Sequence, residues 1–142
     1  MKNIINIASD HAGFSLKEEI LKLKKSDFID LGTNSPDSVD YPDFALKLVK
    51  QILINDNSKG ILICGSGIGM SIAANRNSNI RAGLAFNSEI AKLMRQHNNA
   101  NILILPSRFI DIQEALKCVD NFLSNVFESG RHEERLKKLG KL

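Results

Sequence analysis

The run Gly60-Ile61-Leu62-Ile63-Cys64 constrains the fold of this chain more than any other stretch. It reads as a strand with no polar face, and such a strand has to be covered on both sides. That is the situation of a strand inside a parallel sheet lying between two layers of helix. The next residues agree with it. Gly65, Gly67 and Gly69 make a glycine-rich turn, and a helix opens over residues 70–75.

The rest of the chain alternates in the same way. Residues 3–8 read as a first strand, followed by a helix with Leu16, Ile20 and Leu23 on one face and lysines opposite. A short strand over 28–31 leads into a turn-rich loop from Gly32 to Asp40. Asp40-Tyr41-Pro42-Asp43 then starts a helix, with proline in the first turn and an acid at the positive dipole end. It runs to about Ile54 and buries Phe44, Leu48 and Ile52.

Residues 81–86 are a fourth strand, and a helix capped by Ser88 covers 88–96. A fifth strand over 101–105 stops at Pro106. Asp111 caps a helix carrying Leu116, Val119, Phe122, Leu123 and Val126, and Gly130 breaks it before a charged helix over about 131–139. Alternating strand and helix predicts an α/β fold with a mainly parallel sheet. The 142 residues, without repeat or linker, predict one domain spanning 1–142.

Composition narrows the function. A net charge of +3, 6% aromatic residues and no Trp give neither the electrostatic footprint nor the stacking platform of a nucleic-acid binder. The two cysteines, Cys64 and Cys118, make neither a disulfide framework nor a zinc site. The apolar stretch near the start is too short for a signal peptide, and no run approaches the roughly 18 apolar residues of a membrane span. The expectation is a soluble, cytoplasmic protein.

In open parallel sheets ligands bind beyond the carboxyl ends of the strands. The residues to watch are therefore Asp10 and His11 after the first strand, Cys64 to Gly69 after the third, and Arg108 after the fifth, with His97 and Asn98 entering the fifth. The glycine turn before a helix offers main-chain N–H groups to an anion. It is not a dinucleotide fingerprint, because Met70 stands at the third glycine's place, and no Gly-Lys-Ser/Thr makes it a P-loop. A tight strand-to-helix turn is the plainer alternative.

Each side chain also has two readings. Cys64 is either a small core hydrophobe or a base beside amide dipoles that favour its thiolate. Cys118, in a long helix, reads as packing. Asp10 and Ser15 are candidates for capping the first helix as much as for chemistry. His97 could belong to a turn. Arg131 and Arg135, four apart, share a helical face that either clamps a phosphate or lies in solvent with Glu133 and Glu134.

Taken in order, several motifs resemble the type B ribose-5-phosphate isomerases and the related galactose-6-phosphate isomerases. They are Ser9-Asp10-His11-Ala12-Gly13-Phe14, Asp40-Tyr41-Pro42-Asp43-Phe44-Ala45, the stretch 60–75, Arg95-Gln96-His97-Asn98-Asn99-Ala100-Asn101, and Glu128-Ser129-Gly130-Arg131-His132. The likeness covers nearly the whole chain. It implies a Rossmann-like three-layer sandwich, a five-stranded parallel sheet flanked by helices. It further implies a homodimer, or a tetramer built on it, with active sites shared between subunits and no metal or organic cofactor.

By the same resemblance Cys64 is the base that moves a proton between C2 and C1 of a sugar phosphate, the Gly65–Gly69 loop is the anion hole, and Ser66 assists with its hydroxyl. Asp10 and His97 open the sugar ring, Asn98 contacts hydroxyls, and Tyr41 lines the pocket. Main-chain groups of Gly65, Gly67, Ile68 and Gly69 bind substrate. His11, Arg108, Arg131 and Arg135 hold the phosphate, some from the partner chain. The expected reaction interconverts ribose 5-phosphate and ribulose 5-phosphate. A six-carbon aldose 6-phosphate (allose or galactose) and a non-catalytic subunit of a hetero-oligomer are the alternatives.

Four places depart from the family pattern. Ser66 stands for the usual Thr, Pro106-Ser107 for Gly-Ala, and Phe86-Asn87 and Asn99 differ from common choices. The second of these bears on where Arg108 sits.

Overall fold

The computed structural model describes residues 3–24 and 26–142. Among the described residues the order is β1 (Ile5–Ser9), α1 (Phe14–Leu23), β2 (Phe28–Asp30), α2 (Tyr41–Ile54), β3 (Lys59–Cys64) and α3 (Ile68–Ala74). Next come β4 (Ala82–Leu84), α4 (Ser88–Asn98), β5 (Ile102–Pro106), α5 (Ile112–Ser124) and α6 (His132–Leu139). All pairings are parallel, and the five strands lie in the order β2-β1-β3-β5-β4.

Side-chain alternation divides the sheet's two faces cleanly. Ile61, Ile63, Leu103 and Leu105 meet Ile20 of α1, Met94 of α4 and Phe122 of α5. Leu62, Cys64, Ile102 and Ile104 meet Leu48 and Ile52 of α2 and Met70 of α3. The central residues of β3 and β5 are fully buried, as the uninterrupted apolar run required. Each such aliphatic side chain contributes about 1.5–3 kcal/mol. This is the expected three-layer α/β sandwich.

Chain direction fixes where a crevice forms. From β1 the chain moves outward to β2, then back past β1 to β3. Right-handed crossovers put the helices of these two moves on opposite faces. The carboxyl ends of β1 and β3 are thus left uncovered between them, which makes a topological switch point.

Local signals set most element ends. Asp111 accepts the Glu114 N–H at 2.8 Å, as its capping role predicts. α4 begins at Ser88, but its cap is Asn87, which accepts the Ile90 N–H at 3.0 Å. Ser88 instead gives its N–H to Glu114 at 2.6 Å. α5 stops at Ser124, leaving Val126 74% exposed rather than packed. Lys17 lies with the buried residues, not on the solvent face expected of the α1 lysines. Its Nζ donates to both carboxylate oxygens of Asp30, at 2.9 and 2.8 Å. No helix is long and apolar enough to cross a membrane among the described residues.

Candidate active site

A cleft of about 320 Å³ opens at the switch point, bounded by the segments that leave β1, β3 and β5. Asp10, His11 and Ala12 form one wall, Cys64, Gly65, Ser66 and Gly69 the floor, and Tyr41, Arg108 and Phe109 the rim. Segments almost a hundred residues apart are tied together around it. Asp10 gives its N–H to Ile63 O at 3.2 Å, and the Ser107 hydroxyl donates to Ala12 O at 2.9 Å.

The glycines are explained by what touches them. Gly67 has φ +77°, a left-handed turn that favours glycine. A Cβ on Gly65 would lie 3.0 Å from Arg108 Nη1, so the guanidinium rests against the peptide next to Cys64. A Cβ on Gly69 would lie 2.5 Å from Tyr41 Cζ, so the tyrosine ring lies directly on the glycine. Turn geometry and close approach therefore operate together. Gly67 and the Ile68 side chain do not line the cleft, and Ile68 is 55% exposed.

Cys64 is 4% exposed, with one side in the apolar layer under α2 and α3 and the other bordering the cleft. Ser66 Oγ accepts the Ile68 N–H at 3.2 Å, which removes that amide from an anion hole but leaves the hydroxyl hydrogen to donate. Asp10 is buried, and its Oδ1 accepts the Gly13 N–H at 3.0 Å. His11 Nδ1 accepts the Val39 N–H at 3.2 Å, which assigns the ring hydrogen to Nε2.

At Pro106-Ser107, where the sequence departs from the family pattern, the chain leads Arg108 into the cleft lining. Pro106 ends β5 in register with Cys64, Ser107 N–H bonds Cys64 O at 2.9 Å, and Arg108 N–H bonds Gly65 O at 3.0 Å. Three successive residues are thereby fastened to the floor of the cleft. Cys118, in contrast, lies on the buried face of α5, and burial pushes its thiol up to about 12. The packing reading holds for it.

Four expected site residues stand elsewhere in the single chain. His97 packs at the end of α4 against His132, their rings stacked at 4.5 Å and 17°, with Glu128 Oε2 4.0 Å from His97 Nε2. Asn98 borders a different hollow of about 460 Å³, shared with Arg81 and Leu136. Arg131 and Arg135 are exposed at the start of α6 and line neither hollow. The residues expected from the sequence thus form two separate groups.

Sequence reasoning missed Ala12 and Phe109, whose only signal is adjacency to His11 and Arg108. It also gave no role to His132 and Glu128. Among the described residues His97, Glu128 and His132 are the group whose donor atoms, within 4.8 Å of one another, could share a cation. Their geometry does not suit one. Imidazole lone pairs lie in the ring plane, so two stacked rings do not aim them at a point about 2.0–2.1 Å from both nitrogens.

Comparison with known proteins identifies the family. Residues 5–139 match the family described as Ribose/Galactose Isomerase. A probable ribose-5-phosphate isomerase B of Mycoplasma pneumoniae is 46% identical over 98% of this chain and 94% of that protein. The crystal structure of a ribose 5-phosphate isomerase from Thermotoga maritima is 50% identical, with a TM-score of 0.96 over the whole of both chains. The ribose-5-phosphate isomerase B of Mycoplasma genitalium, solved with bound ribulose-5-phosphate, is 45% identical with a TM-score of 0.93, covering 99% of this chain and 96% of that one. With the sequence pattern, the five-stranded sheet and these matches in agreement, the chain belongs to the ribose/galactose isomerase family.

Proposed function

We propose that this chain interconverts ribose 5-phosphate and ribulose 5-phosphate through an enediolate, with Cys64 as the base. The observation that carries the reading is the placement of Cys64 in the switch-point cleft, beside Gly65, Ser66 and Gly69. The solved relative with ribulose-5-phosphate supports the substrate.

The chemistry is dictated by the needs of an α-hydroxy carbonyl. The Cys64 thiolate takes the proton from the carbon next to the carbonyl, and the C–H electron pair becomes the double bond of an enediolate. Negative charge moves to oxygen, where the Ser66 hydroxyl and main-chain N–H groups of the turn receive it. The proton then returns from sulfur to the neighbouring carbon while the hydroxyl proton passes from O2 to O1, so that the carbonyl ends on C2. In other enzymes one such preorganised donor is worth about 2.7–4 kcal/mol, and a positioned base roughly 10²–10⁴-fold in rate.

Asp10 and His97 are the candidates for opening the cyclic sugar, with Asn98 on its hydroxyls and Tyr41 against its face. Phosphate binding falls to the His11 Nε2–H and to Arg108, with Arg131 and Arg135. The two groups of residues act as one site if two copies pair, so that α4 and α6 of one copy close the cleft of the other. A homodimer is accordingly part of the reading. The phosphate takes no part in bond making, but anchoring it holds the reacting end near the sulfur.

The test is to incubate the purified chain with ribose 5-phosphate and follow ketose formation. Folded protein that forms no ketose rejects the assignment. The family description names galactose as well as ribose, so a six-carbon aldose phosphate is the second reading. A higher kcat/KM for a six-carbon substrate would replace the substrate and keep the mechanism.

A further inference from the structure

We propose that His132 is a positioning residue that holds the His97 ring in the orientation needed for ring opening. The inference rests on the reading that His97 reaches the sugar. His132 is 7% exposed, and its ring lies against that of His97 at 4.5 Å and 17°. The Phe127 ring packs at 6.5 Å, tilted by 52°, so an aromatic neighbour backs the platform. The His97 side chain is 36% exposed, open enough to meet a ligand and therefore in need of something that limits its rotation.

The backbone around His132 is built to hold that ring. Ser129 and Gly130 both take left-handed conformations, φ +60° and +58°, an unusual choice for serine. They turn the chain so that His132 N–H bonds Ser129 O at 3.2 Å and α6 begins beside the end of α4. Two further bonds fix the segment to α4: Glu128 N–H to Gln96 O at 3.0 Å and Gln96 Nε2 to Asn125 Oδ1 at 3.2 Å. Arg95, buried one turn before the end of α4, donates to Asn99 Oδ1 at 3.0 Å and steadies the same end.

The two imidazoles divide the work. Burial lowers the proton affinity of His132, with His97 as the next cause, which disfavours a charge on the platform ring. His97 has Glu128 Oε2 at 4.0 Å from its Nε2. A flat aromatic surface packed at 4.5 Å restricts rotation of the His97 ring. Stacked aromatic pairs of this kind carry an orientation preference beyond simple burial.

A double-mutant cycle decides the point. We expect His132→Ala to lower kcat on ribose 5-phosphate about tenfold or more, with KM within about twofold, and His132→Phe to restore most of the loss because it keeps the stack. In a His97→Asn background, His132→Ala should cost nothing further. Thermal melts confirm that each variant is folded, and the Phe variant serves should the Ala variant fold poorly. Equal losses from His132→Ala in both backgrounds, or no rescue by Phe, overturn the inference while the role of His97 stands. A His97→Asn variant with unimpaired kcat removes the role of His97, and this inference with it.

Discussion

Gly69→Ala separates activity from stability in a way the structure makes quantitative. The new methyl would sit 2.5, 2.7 and 2.9 Å from three atoms of the Tyr41 ring. Comfortable carbon contacts need about 3.5–4.0 Å, so the ring must retreat by roughly 1 Å or more. Tyr41 is 39% exposed and can swing outward without disturbing the core. Gly69 is the second residue of α3, where alanine is favoured over glycine by at most the helix-interior value of about 0.8–1.0 kcal/mol.

Stability should therefore change little, with the melting temperature within about 4 °C of the parent. Displacing a group that lines the cleft by about 1 Å can cost on the order of 100-fold, and kcat/KM should fall by roughly 10–100-fold, about 1.4–2.8 kcal/mol in transition-state stabilisation. The assay is ketose formation from ribose 5-phosphate in four proteins: the parent, Gly69→Ala, Tyr41→Ala and the double variant. If the ring clash is the cause, Gly69→Ala adds no loss once Tyr41 is gone. Full activity in Gly69→Ala, or an equal loss in both backgrounds, would refute the reasoning.

Three further outcomes are expected. Lys17→Met leaves Asp30 without the ammonium that now bonds both its oxygens; because Asp30 keeps 33% exposure, the loss in urea unfolding should be about 2–4 kcal/mol, below the upper end for a fully buried pair, and Lys17→Met/Asp30→Asn should regain part of it. Glu114 is held below the usual carboxylate range by the Ser88 N–H it accepts, so its stabilisation is complete above the ordinary value of about 4.3 and disappears as pH falls through the lowered folded value. The melting-temperature advantage of the parent over Glu114→Gln should accordingly shrink below about pH 5 in acid melts. Mixed refolding of Cys64→Ala with His97→Asn, each far below parent activity alone, should raise activity to about a quarter of the parent's if two copies complete each other's sites, and give no gain if each chain uses only its own residues.

How much could be read from the chain depended on the range of the forces involved. The apolar run at 60–64 marked a strand covered twice, because the need for cover on both faces is written in five consecutive residues. Asp111 was legible as a cap because capping spans three residues. Lys17 was not: its partner Asp30 is fixed only when β2 pairs with β1, which a helical wheel of α1 cannot contain. The same limit divides the site. Asp10, Cys64 and Arg108 lie at the ends of strands in one parallel sheet, so the switch-point rule gathers them, whereas the surroundings of His97 depend on how residues 125–132 fold back onto α4. Asn87 rather than Ser88 caps α4 because the extended residue before the helix takes that place, a choice two adjacent polar residues leave open.

The most direct test of Cys64 as the proton-transferring base is solvent exchange in D₂O with the parent and Cys64→Ala, following deuterium at C1 of ribulose 5-phosphate by NMR while measuring sugar-phosphate binding separately. The account predicts that the variant binds with similar affinity yet exchanges slower by roughly 10²–10⁴-fold. Exchange at the parent rate in Cys64→Ala would contradict it.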